Sequence, residues 1–94
     1  MIRYICLFKL NNPADADAVA DKLHTMEGKI DGMLGMETGK NVWDNAARCY
    51  DLALTIDFVD YDAMIAYDTA PLHLECRDFI YPRRADGKTV VYEV

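Results

Sequence analysis

The residues best suited to chemistry in this 94-residue chain lie in one short segment, from Tyr67 to His73. A phenol at its start and an imidazole at its end are separated by Pro71, which lacks an N–H and fixes φ near the helical value. The spacing predicts that one helix ends before Pro71 and that another begins on it. Tyr67 and His73 would then lie on two successive short helices that meet at an angle.

A histidine and a tyrosine in this arrangement suit proton transfer. The imidazole of His73 can remove a proton α to a carbonyl, while the hydroxyl of Tyr67 donates a hydrogen bond that orients the imidazole or the oxygen. A positioned base of this kind contributes about 10²- to 10⁴-fold to a rate. The alternative role is structural, because the two side chains can instead bond to each other or to backbone groups left unpaired at Pro71.

Positive charge is concentrated locally in one place only, just after the candidate site. The cluster consists of Arg77, Arg83, Arg84 and Lys88. Arginine forms paired hydrogen bonds with carboxylates and phosphates, so the cluster can receive an acidic group on a ligand. The alternative is that it neutralises acidic side chains of the protein itself.

Neither a metal nor another cofactor is expected. The histidines His24 and His73 have no partners at the spacing of metal ligands. Three aspartates of the first helix lack the glycine turn and the late glutamate of a calcium loop, which makes a solvated acidic face the better interpretation. His24 is interpreted as a surface histidine on the polar side of that helix.

The first two elements are predicted from apolar spacing. The run from Ile2 to Leu10 has apolar residues at both odd and even positions, so both faces of the strand are apolar. This indicates a strand covered by helices on one face and by a second subunit on the other. Asn12 is a suitable N-cap for the next helix, with Pro13 at its first position. Apolar residues then recur at helical spacing as far as Ile30.

Two alternating stretches, Met33 to Trp43 and Cys49 to Phe58, predict an antiparallel hairpin. In the first of these strands, Leu34 and Met36 are expected on the same face. Asp60 is a suitable N-cap for the broken helix that carries the candidate site.

The end of the chain is predicted as a loop followed by a strand. The loop extends from Tyr81 to Lys88 and includes a turn at Asp86-Gly87, and the strand extends from Thr89 to Val94. The order β, α, β, β, broken α, β is that of a ferredoxin-like α+β fold: an antiparallel four-stranded sheet with helices on one face. Residues 1–94 are therefore expected to form a single domain.

Composition excludes several classes of function. The hydrophobic fraction of 52% is typical of a globular protein, and no stretch is long and apolar enough to span a bilayer. The net charge of −6 opposes binding to nucleic acid or anionic lipid. Three cysteines without a C-x-x-C pair suit a reducing compartment, and we expect a cytoplasmic protein with buried, unreactive thiols.

Taken together, the motifs resemble the Dabb family of stress-responsive A/B barrel domains over essentially the whole chain. The resemblance rests on Ile2 to Lys9, Ile30 to Gly32, Gly39 to Asn41, Tyr50 to Leu54, Phe58, Tyr67 and Pro71 to His73. It implies that two ferredoxin-like protomers pack sheet against sheet in a homodimeric α/β barrel. It also implies a ligand cavity between each sheet and its own helices.

Most Dabb proteins have no assigned activity, but the family includes the plant olivetolic acid cyclase, which performs an intramolecular aldol condensation. The resemblance implies that His73 matches the base of that cyclase and that Tyr67 matches its assisting tyrosine. The chain departs from the cyclase at Tyr4 and Leu52, where the cyclase has histidines. The cavity is therefore expected to be less basic than that of the cyclase.

Three functions remain open at this point. The first is binding of a small organic molecule in a pocket lined by Tyr4, Phe8, Leu52 and Leu54 together with Tyr67 and His73. The second is a cyclase-like or other proton-transfer enzyme, and the third is a structural stress-response dimer without activity. A pocket filled by the rings of Tyr4, Tyr50 and Trp43 would favour assembly, whereas an open pocket that reaches His73 would favour binding or chemistry.

Overall fold

The first strand, β1 (Ile2–Leu10), lies in the interior of a four-stranded sheet, where it pairs with a strand on each side. The computed structural model describes residues 1–94, and the other strands are β2 (Met33–Lys40), β3 (Leu52–Phe58) and β4 (Arg84–Glu93). The strand order is β2-β3-β1-β4, and all neighbours are antiparallel. Helices cover the inner face of the sheet, which confirms the predicted ferredoxin-like architecture.

The core lies between this inner face and the helices. In β1 the even-numbered side chains from Cys6 to Leu10 are buried, and in β3 burial alternates strictly with the pleat. Burial of apolar area of this kind is the main stabilising contribution to the fold. The buried residues are Cys6, Phe8, Leu10, Ala16, Val19, Leu23, Met26, Leu52, Leu54, Ile56, Phe58, Tyr67, Cys76 and Ile80.

The first helix, α1 (Ala16–His24), follows a short 3₁₀ turn that begins at Pro13. Asn12 caps this turn as expected, since its Oδ1 accepts a hydrogen bond from the N–H of Ala14 at 3.1 Å. The helix ends at His24, earlier than the apolar spacing up to Ile30 predicts. Successive i→i+3 hydrogen bonds replace α-helical ones after His24, because Gly28 adopts a left-handed φ of 72° and turns the chain towards β2.

The predicted facing of β2 is wrong at its start. The register between β2 and β3 shifts between Met33 and Gly35, which marks a bulge. Leu34 is consequently 60% exposed and does not share the inner face with Met36. A bulge adds one residue to a strand and so reverses the facing of the residue beside it, which strict alternation does not foresee.

Two helices follow β3, namely α2 (Tyr61–Asp68) and α3 (Pro71–Ile80), and they confirm the predicted break at Pro71. Asp60 caps α2, since its Oδ1 accepts a hydrogen bond from the N–H of Ala63 at 2.8 Å. Tyr67 is the buried residue of α2, whereas Tyr61 is exposed. None of the helices is long and apolar enough to cross a membrane.

The last strand is longer than predicted. β4 begins at Arg84, and Asp86 and Gly87 pair with β1 rather than forming a turn. The register between β1 and β4 shifts at Leu10, which is opposite Arg84 although Lys9 is opposite Asp86. This bulge allows a polar, glycine-containing segment to continue as a strand. The polar composition of the segment explains why its sequence predicts a loop.

Candidate functional site

The break between α2 and α3 is closed by hydrogen bonds around Pro71. Ala70 adopts an extended conformation with φ −62° and ψ 136°, as expected before a proline, and its carbonyl accepts the N–H of Leu74 at 3.0 Å. The N–H of Ala70 in turn donates to the carbonyl of Tyr67 at 3.1 Å. The backbone therefore fixes the angle at which the two helices meet.

His73 is held at this break by a hydrogen bond to the backbone. Its Nδ1 lies 2.9 Å from the carbonyl oxygen of Asp68, one of the last carbonyls of α2 and without a partner inside the helix. A carbonyl oxygen can only accept, so Nδ1 carries the hydrogen. In the neutral ring Nε2 then carries the lone pair, and it has no hydrogen-bond partner in the protein.

Tyr67 contacts His73 by ring packing rather than by a hydrogen bond. The two ring centroids are 4.2 Å apart with an interplanar angle of 32°. On its other sides the Tyr67 ring packs against Phe58 at 5.1 Å and against Tyr4 at 5.8 Å, the latter edge to face. Tyr67 is only 2% exposed, so this packing fixes the surface on which the imidazole rests.

A cavity of about 120 Å³ opens beside these two rings, between the inner face of the sheet and helices α2 and α3. The Tyr67 hydroxyl has no hydrogen-bond partner in the protein. Because every fully buried polar side-chain atom has a partner, this hydroxyl is not fully buried, and Tyr67 is one of the residues that line the cavity. The lining consists of Tyr4, Cys6, Phe8, Leu23, Leu54, Tyr67, Asp68, His73, Cys76, Arg77, Ile80, Tyr81, Arg84 and Thr89.

The phenols of Tyr4 and Tyr67 and the thiols of Cys6 and Cys76 are neutral at neutral pH. Burial raises the pKa of Tyr4 from 10.0 to about 12, and it also raises the pKa of Tyr67. Burial likewise raises the pKa of the Cys6 and Cys76 thiols. These two hydroxyls therefore remain hydrogen-bond donors, and neither thiol is activated as a nucleophile.

The structure brings most of the residues named from the sequence to this cavity. Tyr4, Phe8 and Leu54 line it together with the candidate pair Tyr67 and His73. Leu52 does not: it is buried in the core on β3, and it is not part of the lining although Phe8, its partner on β1, is.

Two of the three aromatic rings considered as fillers of the cavity lie elsewhere. Trp43 is exposed on the loop between β2 and β3, where the guanidinium of Arg48 packs over it at 5.0 Å. The Tyr50 hydroxyl donates to the carboxylate of Asp86. Only Tyr4, of the three rings considered from the sequence, is part of the wall, and the cavity stays open.

The positive cluster divides between the cavity and its surroundings. Arg77 and Arg84 line the cavity. Arg83 points elsewhere, with its guanidinium 3.8 Å from the centre of the Phe79 ring and donating to the Phe79 carbonyl at 2.7 Å. Lys88 lies 3.7 Å from the carboxylate of Asp86 on the exposed side.

Three polar lining residues were not anticipated from the sequence, namely Asp68, Tyr81 and Thr89. Tyr81 follows Arg77 by four residues and so shares a helical face with it, which is a signal that sequence reasoning could have used. Thr89 lies opposite Cys6 across the sheet, and its hydroxyl donates to the thiol at 3.5 Å. Its position depends on the register of β4 and could not be read from spacing alone.

His24 is less exposed than its predicted surface position implies. Its Nδ1 is paired with the carboxylate of Glu27, and its Nε2 lies 2.8 Å from the Thr38 hydroxyl on β2. These bonds connect the end of α1 to the sheet, outside the cavity. No group of three or more histidine, cysteine or acidic side chains is placed to hold a metal ion.

Comparison with known proteins gives one family. The family model for Dabb, the Stress responsive A/B Barrel Domain, matches residues 2–94. No curated protein matches the sequence significantly.

Solved structures share the fold over the whole chain. A dimeric ferredoxin-like protein of unknown function from Thermobifida fusca has 27% identity and a TM-score of 0.86, covering 99% of this chain and 90% of its own. The hydroxynitrile lyase of Passiflora edulis has 13% identity and a TM-score of 0.84, with 99% and 92% covered. SnoaB of Streptomyces nogalater, a cofactor-independent oxygenase, has 12% identity and a TM-score of 0.80, with 99% and 91% covered.

Proposed function

We propose that this chain, which belongs to the Dabb family of stress-responsive A/B barrel domains, binds a small organic molecule in the cavity beside His73. The observation that carries the proposal is the set of polar groups left free at the cavity. Nε2 of His73 and the hydroxyl of Tyr67 have no protein partner, although both side chains are held firmly by their surroundings. Fixed polar groups in a mainly apolar cavity are typical of a ligand site.

The size of the cavity limits the ligand. A cavity of about 150 Å³ is known to hold a benzene molecule, so the roughly 120 Å³ seen here suits about one ring or a short branched chain. Sites for drug-sized molecules are larger, at about 300–1,000 Å³. A longer ligand would have to extend through the opening past Tyr81, which is exposed.

A purely structural role is less well supported by the same geometry. Tyr50 and Trp43 lie outside the lining, so aromatic rings do not close the cavity. His73 does satisfy a backbone carbonyl at the helix break, which is the structural role considered from the sequence. That bond uses only Nδ1, however, and so leaves the basic nitrogen free.

The free Nε2 favours proton transfer as a second candidate function. In this mechanism Nε2 of His73 takes a proton from a carbon α to a carbonyl, and the Tyr67 hydroxyl donates a hydrogen bond to the resulting enolate oxygen. The proton returns from His73 at the end of the cycle, so no external reagent is consumed. Asp68 assists through its backbone carbonyl, which holds the imidazole in the required tautomer.

The fold is compatible with such chemistry. The Passiflora hydroxynitrile lyase and the Streptomyces cofactor-independent oxygenase share the fold at low identity, and neither relation transfers an activity to this chain. The proposal therefore rests on the geometry of the pair itself.

Both functions can be tested in one series. Aromatic and keto-acid compounds would be screened by thermal shift, and each hit would be followed by NMR in D₂O for replacement of its α-hydrogens by deuterium. We expect His73→Ala to slow exchange by about 10²- to 10⁴-fold and Tyr67→Phe to slow it less. His24→Gln is the matched control, because it removes the other histidine from a position outside the cavity.

The two functions give different results in this series. Stabilising compounds without exchange would support binding alone. Exchange that is undiminished in His73→Ala would exclude His73 as the base.

We further propose that the chain self-associates through the outer face of its sheet, in keeping with the dimeric protein from Thermobifida fusca. Three large apolar side chains are exposed on this face: Leu7 of β1 is 40% exposed, and Val90 and Tyr92 of β4 are 55% and 43% exposed. Burial of such a surface against a twin is favourable and needs no further element of the chain.

Leu7→Glu tests this face. A carboxylate there would lose its water on association, a cost that Lys88 opposite on β4 offsets only in part, so we expect the dimer dissociation constant to rise by at least about 10-fold. Ile65→Glu, on the exposed side of α2, is the control and should leave the constant unchanged. Sedimentation equilibrium measures both, and a wild-type monomer at micromolar concentration would contradict the proposal.

A further inference from the structure

The two arginines that line the cavity have no acidic partner in the protein. The ion pairs of the structure engage Arg3, Lys9, Lys22, His24, Lys40 and Lys88. Arg77 and Arg84 form none of them, although the chain has six more negative than positive charges. Asp68 lines the same cavity and yet pairs with neither guanidinium.

Both guanidiniums are nevertheless held in place. They flank the ring of Tyr81, with the Cζ of Arg84 4.1 Å and the Cζ of Arg77 5.6 Å from its centre. Cation–π packing of this kind orients a guanidinium without using its N–H donors. The donors therefore stay available to a ligand.

The backbone of β4 makes room for Arg84. The bulge opposite Leu10 places Arg84 on the inner face of the sheet, and the same face carries Gly87 opposite Phe8. A Cβ at Gly87 would overlap Nη1 of Arg84, so the glycine leaves the space in which the guanidinium lies. This accounts for a glycine within a strand, a position where it otherwise weakens the structure.

We propose that the cavity selects ligands that carry a carboxylate, which Arg84 and Arg77 bind at the opening while the rest of the molecule lies beside His73. This inference rests on the proposed small-molecule function and adds the class of ligand. Arginine recognises a carboxylate through two parallel N–H···O bonds, and two preoriented guanidiniums supply more than enough donors. The nearby carboxylate of Asp68 favours a single negative charge on the ligand over the double charge of a phosphate.

The test uses matched pairs of probes that differ only in charge: benzoate with benzamide, and acetate with acetamide. Titration calorimetry would measure each probe against the wild type, Arg84→Gln and Arg77→Gln. We expect the wild type to bind at least one carboxylate about 10-fold or more tightly than its amide. Arg84→Gln should weaken that carboxylate by about 10- to 100-fold and change the amide by less than about 2-fold.

Two further variants separate position from charge. Gly87→Ala keeps every charge but displaces the guanidinium of Arg84, so it should also weaken carboxylate binding. Arg48→Gln removes a guanidinium that packs on Trp43 far from the cavity and should have no effect. Circular dichroism would establish that each variant is folded.

The possible failures are distinguishable. Equal binding of a carboxylate and its amide, or equal effects of Arg84→Gln and Arg48→Gln, would overturn the carboxylate inference and leave small-molecule binding intact. Displacement of benzoate by inorganic phosphate at equal concentration would overturn the preference for a single charge. Binding of neither pair at millimolar concentration would contradict the proposed function, and the inference would fall with it.

Discussion

The two faces of the sheet treat their polar groups in opposite ways. On the outer face, the guanidinium of Arg3 makes two hydrogen bonds to the carboxylate of Asp57, at 2.8 and 3.0 Å, and Lys9 lies near Asp51. On the inner side, at the cavity between the sheet and its helices, Arg84 of β4 and Arg77 of α3 have no carboxylate partner, and His73 keeps a free nitrogen. Charges that are paired within the chain need no further partner and can lie in a packing surface. Fixed but unpaired polar groups around a cavity are available to bind a ligand.

The largest effect is expected where the inner face depends on a single ring. Tyr67→Ala removes the surface on which His73 and Tyr4 pack, and it should lower the free energy of unfolding by about 3 to 5 kcal/mol, as for other buried aromatic residues. Urea denaturation measures this change. Tyr61→Ala, at the exposed start of the same helix, is the control and should cost about 1 kcal/mol or less.

A loss of equal size in the two variants would contradict the central place given to Tyr67. Tyr67→Phe completes the set, because it keeps the ring and removes only a hydroxyl that has no protein partner. It should change stability by less than about 1 kcal/mol.

A smaller effect is expected from the ionisation of Tyr4 on the inner face. Its pKa is raised from 10.0 to about 12, so the folded state holds the phenolic proton more tightly than the unfolded state does. The resulting stability is complete below pH 10 and is lost as the pH rises towards 12, by a free energy on the order of 2 kcal/mol. Urea denaturation at a series of pH values measures it.

Tyr4→Phe supplies the comparison for that series. The variant cannot ionise at this position, so its stability should fall less steeply than that of the wild type between pH 10 and pH 12. Parallel curves for the two proteins would show that Tyr4 is not buried as described.

The smallest effect is expected from the paired charges of the outer face. The guanidinium of Arg3 holds the pKa of Asp57 below 3.8. The contribution of the pair is therefore complete above that value and is lost as the pH falls through the lowered pKa. Arg3→Gln should remove this acid dependence and, in the dissociated protomer, leave stability at pH 7 almost unchanged, since a pair that stays in contact with water contributes little. A marked loss at pH 7 in the dissociated protomer would contradict this prediction, whereas a loss seen only at concentrations at which the chain dimerises would place the pair in the proposed interface.

Much of the fold could be predicted because alternation and proline are strong local signals. β1 has the predicted limits, and α3 begins on Pro71 as expected. Two of the errors fall at bulges. Leu34 faces outwards and β4 begins at Arg84 instead of Thr89, because one extra residue changes the facing without changing the composition.

The candidate site could be predicted in part for a related reason. Tyr67 and His73 are close in sequence, so the break alone brings them together. The different positions of Arg83 and Arg84 depend on where β4 pairs with β1, a long-range contact that spacing does not encode. The exclusion of Leu52 likewise does not follow from spacing, since its partner across the sheet, Phe8, lines the cavity while Leu52 does not.

The two histidines allow the most direct test of the account, because one lies at the cavity and the other does not. In protein labelled with ¹⁵N at histidine, the ring signals of His73 and His24 would be followed during titration with benzoate, with His24→Gln providing the assignment. We expect the free protein to show His73 as the Nδ1–H tautomer. During titration the Nε2 signal of His73 should move, while the ring signals of His24 stay fixed. Signals that move equally for both histidines, or for neither, would contradict it.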